Sequence, residues 1–463
     1  MVNSAGKCSL EQPICLRCRK AGIECGGYRV PIVFVNTTAT AKGVIVARER
    51  PNVALRHSFN LAAYEEQYLS LFWNIYLPNG SPCGNKLAGP YPIGSWINIA
   101  KELSCYNDAA RKSLLAVCMT VVGQREKQQW MIHESLQLYT NALDEVRTAL
   151  SSSPTDSDDA MLVASRALAA YELLGSLDEG QGAIMTRRRP EEYMFGRAHQ
   201  LFADSRVQLA LASFMNKKRC FLAEPEWVHI PWTYIPKTAK DYMLDAMIQI
   251  PAMMEDLELW TRDDDFDAAL RLRKAYIVVR KDLETWEQEQ LPAEELKDLR
   301  TRLSDTPTPT DMVAAQLVSC FWTLKLITNN IMHVACLTSP ELKAEPEWTE
   351  SFSTTAQNEL CKKIAEVVGV LLHPASGVFW GQYAMCPVAI SLLYLTTTQQ
   401  LRSETADRLL GSFSEQINPD ALIRFVLGVL KEWPGMRVSS LPILGKAEAK
   451  KEEQQERPTY VSV

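Results

Sequence analysis

IHESLQLYTNALDEVRTAL, residues 132–150, decides the fold class. Ile132, Leu136, Tyr139, Leu143, Val146 and Leu150 recur at alternating steps of four and three, the spacing that lines up side chains on one face of an α-helix. Glu134, Asn141, Asp144, Glu145 and Arg147 fall between them. The stretch predicts an amphipathic helix with that apolar row as its buried face. After it, SSSPTDSDD (151–159) predicts a loop whose aspartates cap a further helix, MLVASRALAAYELL (161–174). A helix around 107–123 precedes both. Similar patterns predict helices near 196–216, 238–260, 265–288, 309–337, 355–373, 383–402 and 418–433. Pro251, in IQIPAMM, is expected to kink or split the second of these. PIVFVNTT (31–38) is a short β-like run, and no notable strand-period stretch follows residue 40. The body is therefore expected to be all-α, with roughly ten or more helices.

Composition sets the outer limits. The chain has 463 residues and is 47% apolar, enough for a large core and more than one domain. No apolar run reaches the ~18–20 residues needed to span a bilayer, so no membrane partner is expected. The amino terminus is polar and cysteine-rich rather than basic and then apolar, which argues against a signal peptide. Val2 stands where myristoylation requires glycine. An intracellular, reducing setting is expected, with Cys118, Cys320, Cys336 and Cys361 acting as small hydrophobes inside helices. Residues 1–30 carry five Lys or Arg (7, 17, 19, 20, 29) against Glu11 and Glu24, while the whole chain has a net charge of −6. The basic character is thus local, and the bulk is no general polyanion binder.

That local patch surrounds the densest cysteine cluster. KCSLEQPICLRCRKAGIECGGY, residues 7–28, spaces Cys8, Cys15, Cys18 and Cys25 as C-x6-C-x2-C-x6-C. Pro13 and Gly22 break both helix and strand periods. Close thiolates in a chain without an export signal favour zinc over disulfides, and a C-x2-C turn suits a tetrahedral ion. The stretch resembles the later two-thirds of the fungal Zn(2)-Cys(6) binuclear cluster, the DNA-binding module of a large class of fungal transcription factors. Cys8, Cys15, Cys18 and Cys25 match its third to sixth cysteines, Lys7 the last lysine of its basic stretch, and Pro13 its loop proline. Gly26-Gly27-Tyr28 is similar to the usual exit. The first C-x2-C pair and the basic run after it have no counterpart here, with VNSAG in their place. The resemblance then implies one zinc ion on these four thiolates instead of two on six. It also implies DNA contact through Lys7, Arg17, Arg19 and Lys20, mostly to phosphates, which position a protein without specifying sequence.

The body resembles the regulatory domain that follows such clusters. The matching stretches are ESLQLYTNAL (134–143), YELL (171–174), the G-A-x-x-x-R-x-x-P run from Gly182 to Pro190, FADSRV (202–207) and FLAEPEWVHIPW (221–232). GSLDEGQG after YELL is shorter than is usual there. The expected organisation is a partial zinc-cluster module (1–28), a linker (29–58), a helical regulatory domain (59–440) and a charged tail (441–463). What the resemblance implies is a nuclear regulator of RNA polymerase II transcription, often of a secondary-metabolite gene cluster. DNA, a homodimer or a related heterodimer partner, and a small-molecule effector would be its partners, and no catalysis is expected. The second reading is a regulator without DNA binding of its own that acts through partner proteins.

Other patterns weigh less. DDDFD (263–267) matches the D-D-x-x-D motif with which all-α isoprenoid enzymes hold magnesium, through Asp263, Asp264 and Asp267. Acidic residues are also common in a helix's first turn, and no second magnesium motif follows. His333 and Cys336 share a helical face but make no metal site by themselves. Arg187–Arg189 and Lys217–Arg219 read as solvated surface or nuclear-import clusters. Tyr276 and Trp286 read as core. The sequence shows no phosphate-cradling glycine loop, nucleophile elbow or catalytic Cys–His pairing.

Overall fold

The structure, a computed structural model, describes residues 57–82, 93–150, 158–173, 185–292, 294, 296, 306–338, 342 and 345–414. The chain divides by its contacts into Met1–Arg56 and His57–Val463, and every described residue lies in the second unit. The helices are α1 His57–Tyr76, α2 Trp96–Ser104, α3 Asp108–Arg125, α4 Gln129–Leu150, α5 Asp158–Leu173, α6 Gly196–Asn216, α7 Pro225–His229 and α8 Ala239–Met247. They continue as α9 Ile250–Asp263, α10 Phe266–Glu289, α11 Pro309–Thr338, α12 Pro346–Phe352, α13 Thr354–Leu372, α14 Gly377–Thr397 and α15 Glu404–Ser414. Short 3-10 turns link several of them, and the described residues form no strand. The all-α expectation holds for this body. The cysteine knuckle and the expected helix at 418–433 lie outside the described residues.

Two helices are buried on all sides and organise the rest. On α3, residues 113–123 are buried without a break, and α1, α2, α4 and α5 pack around it. On α11, residues 311–319 are all buried, and α8, α9, α10, α13 and α14 pack around it. A helix that is apolar all round belongs at a centre rather than at a surface. Between these groups lies α6, in contact with α2 and α5 on one side and with α8 and α9 on the other.

The helix at 132–150 forms, but its buried face is rotated by about one residue from the apolar row. Met131, Ser135, Leu138, Ala142 and Val146 are buried, while Leu136 is 50% exposed. Small residues set this register by letting α4 approach α3 closely. Thr120 Oγ1 donates to Ser135 Oγ at 2.9 Å, and a Cβ at Gly123 would lie 2.9 Å from the Cβ of Met131. Tyr139 is half-buried and stacks on Tyr171 of α5, 4.6 Å between ring centres.

Pro251 splits the segment at 238–260 as expected: α8 ends at Met247 and α9 starts at Ile250, with the proline in its first turn. There its missing N–H costs nothing, because first-turn donors have no partner within the helix. The helix expected from 383 begins at Gly377 instead and carries Pro387 in its interior. This region corrects the reading that no segment is apolar enough to span a bilayer. Pro374–Thr397 is long and apolar enough by length and composition, and it is mostly buried against other helices. Gly377 opens α14 at φ +74, and a Cβ there would clash with the Tyr76 carbonyl oxygen at 2.7 Å. That close approach locks the end of α1 onto α14.

The rotated register predicts an asymmetry between two substitutions. Gly123→Val, which forces α4 away from α3, should cost about 1–3 kcal/mol of unfolding free energy in urea titrations. Leu136→Gln, in the expected apolar row, should change it by less than about 0.5 kcal/mol.

Candidate functional site

Cys8, Cys15, Cys18, Cys25, Lys7, Arg17, Arg19 and Lys20 all lie outside the described residues. The donor set itself, four thiolates and no competing His or carboxylate ligand between them except Glu11 and Glu24, suits one zinc ion. Among the described residues no group of three or more His, Cys, Asp or Glu side chains is placed to hold a metal.

The DDDFD run forms the corner between α9 and α10. Asp263 is exposed and pairs with Arg262 at 2.8 Å. Asp264 takes the left-handed conformation that ends α9 (φ 53). Asp265 caps α10 by accepting from the Ala268 N–H at 3.1 Å, and Asp267 sits in the first turn. Capping and charge–dipole contacts thus account for Asp265 and Asp267. His333 stacks on Phe352, 5.2 Å between ring centres, and Cys336 is half-buried, so neither is as deep as a core residue. Tyr276 and Trp286 are buried in the core. The basic clusters are partly tied down: Arg188 pairs with Asp159 at 2.6 Å, and Arg219 with Glu255 at 2.9 Å.

The stretches FADSRV and FLAEPEWVHIPW meet at α6. Phe202 packs against Tyr193 (5.4 Å) and Trp227 (6.0 Å), bringing FADSRV against FLAEPEW. Buried His199 has Nδ1 2.9 Å from the Tyr193 carbonyl and 3.0 Å from the Pro231 carbonyl. Carbonyls only accept, so Nδ1 carries the proton and donates to both. Buried Arg206 lies over the Trp232 ring at 5.2 Å and pairs with Asp241 at 3.5 Å and with Asp245. Asp204, two residues earlier, accepts from the Trp96 N–H at 3.1 Å and Ser95 Oγ at 3.5 Å, and its other oxygen lies 3.6 Å from Lys240 Nζ.

Beside this network lies a cavity of about 60 Å3 between α5, α6, α8, α11 and α14. Leu211, Phe214, Met243, Met247, Leu324 and Ile327 give it apolar walls. Polar groups break that wall at Arg166, Lys240, Gln208, Gln316, Gln382 and Tyr383. Arg166 is 4% exposed and lies over the Trp96 ring at 4.9 Å, yet its Nε and Nη1 have no hydrogen-bond partner. Burial lowers its pKa from the usual arginine value. Gln208 Oε1, Gln316 Oε1 and Gln382 Nε2 are also buried without partners. Burial raises the Tyr383 phenol and pushes the Cys386 thiol up to about 12, so both stay protonated and uncharged near neutrality. An apolar cleft with a few convergent polar groups is the usual form of a small-molecule site.

None of these cavity residues was singled out from the sequence. The visible sign was Arg166, the only charged residue between Met161 and Tyr171 in an otherwise apolar helix. The glutamines gave no sign, because they come from three helices far apart in the chain.

Comparison with known proteins adds little to this geometry. No family model matches the chain, and no solved structure does. It is similar to an uncharacterized protein, AN5342, of Emericella nidulans, 26% identical over 183 residues. The match covers 37% of this chain and 38% of that protein.

His199 predicts a pH dependence. Burial is the main cause that holds its pKa below the ordinary 6.5, so the folded ring stays neutral where the unfolded ring takes up a proton. The stability this contributes is full above about pH 6.5 and is lost as the pH falls from there through the lower folded value. Unfolding free energy measured in urea should therefore decline from pH 7.5 to 5.5, and His199→Gln should flatten that slope.

Proposed function

We propose that this chain is a nuclear transcription regulator of the fungal zinc-cluster class, with the helical body as its regulatory part. The observation that carries the reading is the C-x6-C-x2-C-x6-C spacing of Cys8, Cys15, Cys18 and Cys25, with Lys7, Arg17, Arg19 and Lys20 beside it. These thiolates would hold one zinc ion in a structural site, and the neighbouring cations would bind DNA phosphates. The body supports the reading in a second way: it is large and all-α, and it holds a small, mostly apolar cavity with a few polar groups, the kind of lining that small-molecule sites have. Target genes would be those transcribed by RNA polymerase II, such as a secondary-metabolite cluster.

The test is metal analysis and DNA binding with the full chain purified under reducing conditions. One zinc per chain is expected, lost in Cys15→Ser and Cys18→Ser and released as acid protonates the thiolates. Absence of bound zinc, in protein whose helical body is folded, contradicts the reading. On DNA, discrimination worth about 1–3 kcal/mol per base pair supports direct sequence readout. Binding that is sequence-blind and falls steeply with salt favours action through partner proteins.

A further inference from the structure

Arg166 sits where a charge is expensive. Its Nε and Nη1 are buried and unpaired beside a mostly apolar cavity. An ionised group removed from water costs several kcal/mol unless an opposite charge and hydrogen bonds compensate it. The stacked Trp96 ring compensates only in part, since a cation–π contact is worth about 0.5–2 kcal/mol. Asp204 is close enough to act on Arg166 through its charge, but its oxygens are already engaged by Trp96 N–H, Ser95 Oγ and Lys240. Tyr76 and Tyr383 bring no negative charge, because burial raises both phenols. Arg166 and Lys240 together against Asp204 leave this corner with positive charge in excess.

We propose that the cavity binds a small monocarboxylate with a slender apolar body, its carboxylate seated on Arg166. A guanidinium presents two parallel N–H groups that match a carboxylate, so one ligand group satisfies both the charge and the open donors. The Gln382 side chain, unpaired at Nε2, adds a donor on the same wall. Beyond the polar corner Leu211, Met243, Met247, Leu324 and Ile327 offer a hydrocarbon surface, and the two methionines can adjust to its shape. The volume sets the size. At about 60 Å3 the cavity is well below the ~150 Å3 that accommodates a benzene ring, so it takes only a carboxylate with a body of one to three carbons. A single excess charge favours a monoanion over phosphate, which needs more cations. The unpaired oxygens of Gln208 and Gln316 would accept from a hydroxyl or amide on the ligand. The proposal rests on the regulator reading only in calling this ligand an effector; the binding site stands on its own geometry.

The test is calorimetric titration of the full chain with straight-chain carboxylates from formate to hexanoate. Propan-1-ol and inorganic phosphate serve as controls. Acetate, propanoate or butanoate is expected to bind saturably at one site, at least tenfold tighter than propan-1-ol and than phosphate. Arg166→Gln should weaken it at least tenfold, and Arg166→Lys, which keeps the charge but loses the fork, by less. The comparison of acid with alcohol uses the unaltered protein, so it stands whether or not a variant folds. Four results overturn the proposal: no saturable binding across the series, equal binding of propan-1-ol, phosphate binding more tightly than any carboxylate, or undiminished binding by a folded Arg166→Gln. Zinc content and DNA binding of the same preparation judge the regulator reading separately. Carboxylate binding without DNA binding would sink only that reading, and DNA binding without carboxylate binding would sink only this site.

Discussion

A charge buried in a helical core must find an opposite charge or a set of hydrogen bonds, and in this fold that requirement positions the helices around α6. Asp204 joins α6 to the start of α2 through the Trp96 N–H and to α8 through Lys240. Arg206 reaches Asp241 and Asp245 on α8. Asp256 on α9, also buried, takes Arg219 at 2.5 Å and Arg271 of α10 at 2.9 Å. Removing one partner of such a pair leaves the other charge stranded, at about 3–5 kcal/mol. Hydrophobic burial supplies most of the driving force, but it is indifferent to direction. The ion pairs choose which helix faces which, and so they fix where the cavity forms.

Arg166 departs from that pattern at Nε and Nη1. It lies on α5, one of the helices packed on α3, and lines a cavity whose other walls come from α6, between the two groups, and from α11 and helices packed on it. A ligand bound there would touch both groups of helices at once. Any ligand that prefers one spacing of α5 against α11 and α14 shifts the population toward that spacing, by no more than its difference in affinity for the two. An occupied cavity would thereby influence the surface of the body without any large hinge.

The helices were legible in the sequence because their signal is periodic and local. Pro251 marked the break between α8 and α9, and Asp265 capping α10 follows from an acidic residue just ahead of an apolar run. What was not legible depends on size and on distance along the chain. The buried face of α4 was misjudged because Ser135 and Ala142 carry little hydrophobicity, yet their small size is what allows the approach to Thr120 and Gly123. The start of α14 is masked in the sequence by the two glycines of GVFWGQ, and its length of uncharged sequence by Gln382 and Pro387, which interrupt the apolar run. The cavity could not be read at all. Arg166, Gln208, Gln316 and Gln382 converge only through tertiary packing, and a lone arginine in an apolar helix signals a problem without naming its solution.

Everything in the cavity turns on Arg166, whose charge the protein alone leaves unpaired at Nε and Nη1. The most direct measurement is the unfolding free energy of ligand-free Arg166→Met beside that of the unaltered chain, in urea at neutral pH. If the charge is unpaired, replacing it with an apolar side chain of similar length should leave stability unchanged or raise it by about 1–4 kcal/mol. A loss of about 3–5 kcal/mol would show instead that Arg166 is one half of a buried pair, and it would contradict the claim.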